Sequence, residues 1–378
     1  MSKTKPRAAY VHVPFCKRRC GYCNFTLVAS RDDLIESYLT AIERELSWLE
    51  RPREVETLFF GGGTPTHLPP DKLRQLIEIV RHWFPFVPGY EFSVEANPAD
   101  LDSEQVTVLA EQGVNRLSLG AQSFDPEKLR RLDRDHNAAG IARSMELARP
   151  LLDSISLDLI FGVPDESPEV WEADLAAALK LRPDHISTYG LTYERGTVLW
   201  SHWQKGQVRP LGEELERTMF ERGIDVLTGA GFEHYEVSNF ARPGHRCRHN
   251  EAYWSGDEYY AVGPGAARYV NGRREMNHRS TTTYLKRVLA GQSPVADSEE
   301  LSPEDRALEL FVFGMRRLGG VDRSEFVRRT GFELDRLVGR ELRRFIARGL
   351  LDDIGNCVRL TREGLFVSDS IWPHFLSR

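Results

Sequence analysis

Between residue 8 and about residue 190, short runs of apolar residues alternate with longer stretches in which apolar residues recur every three or four positions. The short runs predict buried strands, and the recurring positions predict amphipathic helices. The six predicted strands span residues 10–13, 55–60, 92–96, 116–119, 154–160 and 185–189. Strand–helix alternation at this pitch is typical of βαβ units in a parallel sheet, and six units are too few for a complete eight-stranded barrel. We therefore predict an α/β fold built on an open, partial (β/α)6 barrel.

The remainder of the chain reads differently. Residues from about 195 to 290 are less regular and include a stretch rich in glycine and aromatic residues at 245–267. From about residue 300 the pattern becomes helical and ends in a predicted two-stranded wing near 349–361. We therefore expect three parts: a partial barrel at 1–195, a barrel extension at 196–299, and a small winged-helix-like domain at 300–378.

Polar or glycine-rich residues follow the predicted strands. They are Cys16–Cys23 after the first strand, Gly61–Pro65 after the second, Glu95 and Asn97 at the third, Gln122 and Ser123 after the fourth, Asp158 late in the fifth and Tyr189 at the end of the sixth. In α/β sheets of this kind, ligands bind at the carboxyl ends of the strands. These residues therefore predict a single pocket at that end of the sheet.

The first of these segments contains three of the five cysteines of the chain, Cys16, Cys20 and Cys23. Thiolates are soft ligands suited to iron–sulfur clusters, zinc or copper. A closed site needs four protein ligands, so three cysteines on a [4Fe–4S] cluster leave one iron open for chemistry. Zinc with a distant fourth ligand, such as Cys247 or His249, remains an alternative.

Composition excludes several classes of protein. The chain has 378 residues with a hydrophobic fraction of 41%, a charged fraction of 28% and a net charge of −6, which disfavours bulk nucleic-acid binding. Residues 301–378 carry 14 arginines and no lysine against 12 acids, so their charge is only +2 and we expect no nucleic-acid partner there either. Residues 1–7 do not resemble a secretory leader, and no apolar run is long enough to span a membrane, so we expect a cytoplasmic protein without disulfides.

A longer motif resembles the signature of radical S-adenosylmethionine (SAM) proteins, and more narrowly that of the oxygen-independent coproporphyrinogen III oxidase family. It reads Tyr10-x-His12-x-Pro14-Phe15-Cys16-x3-Cys20-x-Tyr22-Cys23, and later segments in the family's order are GGGTP at 61–65, Glu95, GAQSF at 120–124 and LDLIxGxP at 157–164. The resemblance implies that Cys16, Cys20 and Cys23 hold a [4Fe–4S] cluster, reduced by an external electron donor, whose free iron binds SAM. It also places the SAM site on Tyr10, Tyr22, Gly62, Gly63, Thr64, Glu95, Gln122, Arg134 and Asp158.

Simple chemistry is compatible with these roles. Glycines let a backbone approach the SAM amino group, Glu95 is suited to ribose hydroxyls, and Arg134 is suited to a carboxylate. Each residue taken alone also has a structural explanation. The glycines could form only a tight turn, Asp158 could be a buried structural acid, and Arg134 could lie on a solvated helix face. Tyr22 could merely pack the cysteine loop.

Two features differ from the decarboxylating oxidase. That enzyme has a fourth cysteine two residues after the third, where this chain has Phe25, and it has a longer N-terminal extension. Both features resemble instead a sister group, the HemW-type haem chaperones. The string His249-Asn250-Glu251-Ala252-Tyr253-Trp254 is similar to the HNxxYW motif of that group. The resemblance implies that His249 contributes to haem binding, as histidine is a common axial ligand, although a structural turn is the alternative.

Two functions follow from the resemblance. The first is a haem carrier that delivers haem to apo-haemoproteins at the membrane, with peripheral association at the inner membrane face and no assigned catalytic residue. The second is a coproporphyrinogen III dehydrogenase that decarboxylates its substrate to protoporphyrinogen IX. We expect the carrier. The acceptor, the electron donor, the fate of SAM and the formation of a homodimer are left open by the sequence.

Overall fold

One large mixed sheet forms the body of the molecule, which a computed structural model describes for residues 5–376. The strands are β1 (Ala8–Val13), β2 (Phe15–Cys16), β3 (Val28–Ala29), β4 (Val55–Gly62), β5 (Phe86–Ala96), β6 (Arg116–Gln122), β7 (Ser154–Phe161), β8 (His185–Gly190), β9 (Glu233–Glu236), β10 (Asn239–Ala241), β11 (Tyr259–Val262), β12 (Ala267–Val270), β13 (Arg273–Asn277), β14 (Val295–Glu300), β15 (Val321–Asp322), β16 (Leu351–Ile354) and β17 (Cys357–Leu360).

Helices connect and cover these strands. They are α1 (Ile35–Ser47), α2 (Pro70–Trp83), α3 (Ser103–Glu111), α4 (Pro126–Arg131), α5 (Ala138–Ala148), α6 (Pro168–Lys180), α7 (Val198–Gln204), α8 (Glu213–Gly229), α9 (Arg248–Trp254), α10 (Thr281–Leu289), α11 (Pro303–Arg316), α12 (Arg323–Thr330), α13 (Leu334–Ala347), α14 (Arg362–Phe366) and α15 (Ser368–Leu376). None of the helices in the described residues is both long and apolar enough to cross a bilayer.

The predicted partial barrel is confirmed. Strands β1, β4, β5, β6, β7 and β8 are adjacent in this order, and each pairs in parallel with the next. The helices between them bury one apolar face, as in α1, where Tyr38, Leu39, Ile42 and Leu46 are fully buried. Such amphipathic faces are what drives these helices onto the sheet.

The sheet extends beyond these six strands at both edges. Strand β11 adds in parallel to β1, with Ala8 opposite Tyr259, and β12, β13 and β14 continue from it as an antiparallel ribbon. At the other edge β10 pairs antiparallel with β8, and β9 pairs with β10. The region 196–299 therefore completes the barrel sheet on both sides, through short strands whose partners lie far away in sequence.

The C-terminal part has the predicted helical and winged pattern. Helices α11, α12 and α13 precede the wing strands β16 and β17, and a third short strand, β15, pairs with β17. Helix α11 packs against α9 and α15.

The parallel order decides where the polar segments meet. All six barrel strands end at the same edge, and the loops that follow them converge there. The cysteine loop folds over this edge because β2 and β3 pair with each other, with Phe15 opposite Val28 and Cys16 opposite Ala29.

Candidate functional site

A cavity of about 620 Å³ opens at the carboxyl ends of the barrel strands. The predicted cluster and SAM residues that line it are Cys16, Cys20, Tyr22, Cys23, Gly62, Gly63, Thr64, Glu95, Gln122, Arg134 and Asp158. Two predicted residues do not line this cavity. Tyr10 lies beside it on β1, and His249 lies elsewhere in the molecule.

The cysteine loop is braced by its own hydrogen bonds. The amide of Cys23 donates to the carbonyl of Cys20 at 3.1 Å. The guanidinium of Arg19 donates to three carbonyls of the same loop, those of Cys23, Phe25 and Leu27, at 3.3, 3.3 and 2.9 Å. These bonds hold the loop in one shape, with the three cysteine side chains on the cavity wall.

The thiol arrangement fits a cluster better than a single ion. Among residues 5–376, no three His, Cys, Asp or Glu side chains converge as closely as one metal ion requires. A [4Fe–4S] cluster does not need such convergence, because each cysteine binds a different iron. Burial raises the pKa of Cys16 to about 12, and metal coordination removes the proton from such a thiol.

The distant zinc ligands considered from the sequence do not reach this cavity. Cys247 is buried, with its sulfur 3.7 Å from a carboxylate oxygen of Glu91, and His249 contacts Thr57. Thr57 lies near the start of β4 and Glu91 lies in the middle of β5, whereas the cysteine loop follows the end of β1. The zinc alternative with Cys247 or His249 as fourth ligand is therefore wrong for this conformation.

The glycine turn after β4 is shaped by the close approach of the first strand. A Cβ atom at Gly62, whose φ is +111°, would lie 2.4 Å from the His12 ring, and a Cβ atom at Gly63 would lie 2.6 Å from the carbonyl oxygen of Phe15. The amides of Gly63 and Thr64 donate to the carbonyls of Val13 and Phe15 at 2.7 and 2.8 Å. These two amides are therefore engaged within the protein and are not available as donors to a ligand.

Tyr10 connects the barrel to the cysteine loop through His12. The Nε2 atom of His12 lies 2.7 Å from the carbonyl oxygen of Thr26, so it carries the proton and donates. Nδ1 is then the acceptor for the Tyr10 hydroxyl at 3.1 Å. Burial lowers the pKa of His12 to about 4, so the ring is neutral at pH 7.

Two carboxyl groups line the cavity floor. Glu95 accepts a hydrogen bond from the Gly62 amide at 3.0 Å, and burial raises the pKa of Glu95 to about 7. Asp158 accepts from the Ser118 hydroxyl at 3.0 Å, and burial also raises its pKa. The floor can therefore accept hydrogen bonds from ligand hydroxyls.

Arg134 points into the cavity rather than lying on a solvated helix face. Its Nη2 atom donates to Asn97 Oδ1 and to the Gly120 carbonyl, both at 2.8 Å, and Nη1 lies 3.5 Å from Cys20 Sγ. Its Nε atom is buried and has no partner among the described residues. The guanidinium therefore brings positive charge to the cysteines and keeps one donor free.

Two further lining residues, Ser118 and Arg279, were not predicted from the sequence. Arg279, in the loop after β13, donates to the Asn24 carbonyl and lies 3.3 Å from Thr26 Oγ1. Ser118 lies inside a strand predicted only as buried backbone. Arg279 reaches the cavity through contacts with residues distant in the chain, which a local sequence pattern cannot predict. Ser118 could have been predicted, because side chains alternate along a strand and Ser118 shares the face of Gly120 and Gln122.

His249 occupies a closed environment near the start of β4 and the middle of β5. Its side chain is buried, Nδ1 lies 2.9 Å from Thr57 Oγ1, and Nε2 lies 2.9 Å from the Tyr253 hydroxyl. Burial lowers the pKa of His249 to about 3, so the ring is neutral. In this conformation both ring nitrogens are engaged, and neither is free to bind iron.

The remainder of the HNxxYW segment is also packed. The carboxylate of Glu91 accepts the amides of Arg248 and His249, both at 3.0 Å, and so caps the start of α9. The Arg316 guanidinium lies over the Trp254 ring, 4.4 Å from the ring centroid. Arg316 therefore occupies one face of the Trp254 ring in this conformation.

Two family models match this chain, one over most of the barrel and one over the C-terminal part. The radical SAM superfamily matches residues 10–178, and the HemN C-terminal domain matches residues 301–367. The fold is similar to that of coproporphyrinogen III oxidase (HemN) from Escherichia coli, described as a radical SAM enzyme. The structural match covers 100% of this chain and 92% of the oxidase chain, with a TM-score of 0.88 and 22% sequence identity. At this identity the likeness establishes the fold alone.

Two relatives cover essentially the whole chain. The protein named heme chaperone HemW from Bacillus subtilis (strain 168) is 34% identical over 376 residues, which are 98% of this chain and 99% of that protein. The protein of the same name from Escherichia coli (strain K12) is 34% identical over 383 residues, with 100% of both chains covered. With this identity over its full length, the chain belongs to the HemW family within the radical SAM superfamily.

Proposed function

We propose that this protein is a haem chaperone, which holds a [4Fe–4S] cluster and SAM, binds haem and transfers it to respiratory haemoproteins of the membrane. The full-length relationship to proteins named heme chaperone HemW carries this proposal. Membership of the radical SAM superfamily implies the cluster and SAM. The acceptors, and peripheral association with the inner membrane face, are part of the proposal.

The cavity residues fit the two cofactors. Cys16, Cys20 and Cys23 would bind three irons, and the cluster would supply an electron to SAM. Arg134 offers its free Nε donor and a positive charge beside Cys20. The set that would hold SAM comprises Tyr10, Tyr22, Gly62, Gly63, Thr64, Glu95, Gln122, Arg134 and Asp158, with Tyr10 acting from behind the cavity through His12.

Haem ligation by His249 needs a change of conformation. The Tyr253 hydroxyl must leave Nε2, or Thr57 must leave Nδ1, before either nitrogen can meet iron. We therefore propose that the Tyr253–His249 hydrogen bond is a latch that closes the haem-binding segment α9 when no haem is bound.

An anaerobic haem titration of the cluster-reconstituted protein tests this proposal. We expect saturation near one haem per chain for the wild type and weaker binding for His249→Ala. Tyr253→Phe removes the bond to Nε2 and should strengthen binding by up to about tenfold, the equivalent of one hydrogen bond. Tyr284→Phe is the matched control, because it also removes a buried tyrosine hydroxyl, one that donates to Glu45 at 2.6 Å.

The outcomes separate the possibilities. If His249→Ala binds haem like the wild type but melts earlier, the histidine is structural and the chaperone proposal survives with another ligand. Absence of saturable haem binding in the wild type would remove the chaperone proposal. SAM-dependent decarboxylation of coproporphyrinogen III would then be the activity to measure.

A further inference from the structure

A second groove, of about 660 Å³, opens at the end of the barrel opposite the cysteine loop, where the strands begin. The residues that line it include Glu78, Arg81 and His82 on α2 and residues 85–90 at the start of β5. Its volume lies within the range of small-molecule sites, roughly 300–1,000 Å³. None of these residues belongs to the cluster and SAM site or to the HNxxYW segment. We call this feature the α2–β5 groove.

The β5 side of the groove is apolar and rigid. The rings of Phe86 and Tyr90 are stacked, with their centroids 4.0 Å apart and an angle of 5° between their planes. The Tyr90 hydroxyl donates to the Gly113 carbonyl at 3.0 Å, which holds the pair in place. Pro85 and Pro88 restrict the backbone on either side of Phe86. The groove therefore offers a preformed apolar surface to a ligand.

Arg81 places a positive charge beside this apolar surface. Its Nη1 atom donates to the Gln112 carbonyl at 3.0 Å, and its guanidinium lies over the Phe86 ring, 5.2 Å from the ring centroid. Within residues 5–376, the Nε and Nη2 atoms of Arg81 make no hydrogen bond or ion pair. A guanidinium with two free donors is suited to a carboxylate, which can accept two parallel hydrogen bonds.

His82 is the histidine of the groove, and its ring nitrogens are open. The side chain is exposed, and the ring packs edge-to-face against Trp83 with the centroids 5.4 Å apart. Neither ring nitrogen makes a hydrogen bond or ion pair in the described part of the chain. His249 is the reverse case, because Thr57 and Tyr253 engage both of its nitrogens. Of these two histidines, only His82 can bind iron without a change of conformation.

Strand β5 connects the groove to the haem-binding segment α9. The Gly89 carbonyl, in the groove, accepts a hydrogen bond from the Arg248 guanidinium. Two residues later, Glu91 accepts the amides of Arg248 and His249, both at 3.0 Å, and caps the start of α9. A ligand in the groove therefore lies next to the segment that would take haem when the latch opens.

The chemistry of the groove matches haem. The macrocycle needs an apolar surface, its iron accepts a histidine nitrogen, and its propionates accept hydrogen bonds from arginine. Glu78 also lines the groove and repels a propionate, so iron ligation and apolar contact must supply most of the affinity. The identity of the ligand rests on the proposed function, in which this chain carries haem.

We infer that the α2–β5 groove is a second haem site, which receives haem while α9 is closed. His82 donates a nitrogen lone pair to the iron, and Arg81 pairs with one propionate. Because His82 and Arg81 are exposed, haem bound there stays accessible and is held loosely. Tight saturation near one haem per chain therefore still belongs to His249, and the groove holds haem before it reaches that ligand.

An anaerobic haem titration of full-length His249→Ala tests the inference, because this variant isolates the groove from α9. We expect weak saturable binding with a histidine ligand, recorded by absorbance and by electron paramagnetic resonance of the ferric form. Adding His82→Ala should weaken this binding at least about tenfold, because even the hydrogen-bond partners of a metal ligand contribute that much. His202→Ala added instead is the control, since His202 is exposed on α7, outside the groove.

Protoporphyrin IX, which has the propionates but no iron, separates the two roles. Arg81→Gln should weaken the binding of both haem and protoporphyrin IX about fivefold, the upper range for an exposed charge pair. His82→Ala should weaken the binding of haem alone. Glu78→Gln should strengthen the binding of both about twofold, because a like charge is removed. Protoporphyrin fluorescence measures the binding, and unchanged midpoints of thermal unfolding show that the variants are folded.

Residual haem binding that is the same with and without His82 would overturn the inference. So would equal binding of protoporphyrin IX to the wild type and to Arg81→Gln.

Failure of the proposed function would look different. A wild type that binds haem through His82 but transfers none to respiratory haemoproteins would overturn the chaperone proposal and leave the groove standing. A wild type whose haem binding depends on His249 alone would overturn the groove and leave the chaperone proposal standing.

Discussion

Gly62 occupies a place where a side chain has neither space nor a suitable backbone. Its φ is +111°, and an added Cβ atom would lie 2.4 Å from His12. We expect Gly62→Ala to lower the free energy of unfolding by at least about 2 kcal/mol. Two costs are added together: the strain of a positive φ in a residue with a Cβ atom, and the clash of that atom with the buried His12 ring. Urea denaturation of the protein without its cluster measures this loss.

Gly89 provides the control for Gly62. Its φ is +75°, but an added Cβ atom would meet nothing within 4 Å. Gly89→Ala should therefore cost only the backbone strain, about 1 kcal/mol. Equal losses for the two variants would show that the contact between the turn and His12 is unimportant.

Glu95 should make stability depend on pH. Burial raises its pKa from 4.5 to about 7, so between these values the folded chain keeps a proton that the unfolded chain has released. The free energy of unfolding of the wild type, compared with that of Glu95→Gln, is therefore highest below pH 4.5 and falls as the pH rises to 7. The total fall is on the order of 3 kcal/mol. Urea denaturation of both proteins from pH 4 to pH 8 measures it, and parallel curves would contradict the expectation.

At the scale of elements, a buried ionic network joins two of the loops around the cavity. Lys128 Nζ, on α4, lies 2.5 Å from Glu166 Oε1 and 2.9 Å from Asp174 Oδ2, and the three side chains are at most 3% exposed. Asp174 also accepts the Ser123 hydroxyl, and Glu166 accepts the Val163 amide. The loops after β6 and β7 are therefore tied to each other and to α6.

This network holds the segment that carries Gln122 and Arg134. Gln122 has a φ of +62°, which a residue other than glycine keeps only when its surroundings enforce it. Lys128→Met leaves two buried carboxylates without their cation and should cost about 3–5 kcal/mol of stability. Lys72→Met, at a solvent-accessible pair with Glu36, should leave the stability nearly unchanged, because an exposed ion pair contributes little. Similar midpoints of thermal unfolding for the two variants would contradict this account.

At the scale of the whole molecule, one hydrophobic core runs from the barrel into the C-terminal part. It includes Val11 and Leu58 on barrel strands, Phe240 on β10, Phe311 on α11 and Phe375 on α15. Because these residues share one contiguous core, we expect a single thermal transition for the full chain. Calorimetry measures this, and two well-separated transitions would show that the parts proposed at 1–195, 196–299 and 300–378 unfold independently.

Local patterns predicted most of the barrel, because each βα unit carries its own signal within about thirty residues. The strand predicted at 55–60 is observed at Val55–Gly62, and the strand predicted at 185–189 is observed at His185–Gly190. Strand β5 begins at Phe86, before the predicted residue 92, because Pro88 and Gly89 conceal its first half. The bulge between Val55 and Thr57 in its partner absorbs the irregularity.

The sequence by itself determined the order of the parallel strands and the end of the sheet at which the site lies, since loops after parallel strands must meet. Only the tertiary structure decided which side chains face which neighbours. It turned Arg134 into the cavity, brought Arg279 to the cysteine loop, and enclosed His249 between Thr57 and Tyr253. The physical reason is that residues distant in the chain determine the burial and the hydrogen-bond partners of each side chain. Local periodicity and motif spacing do not show which distant residues will come into contact.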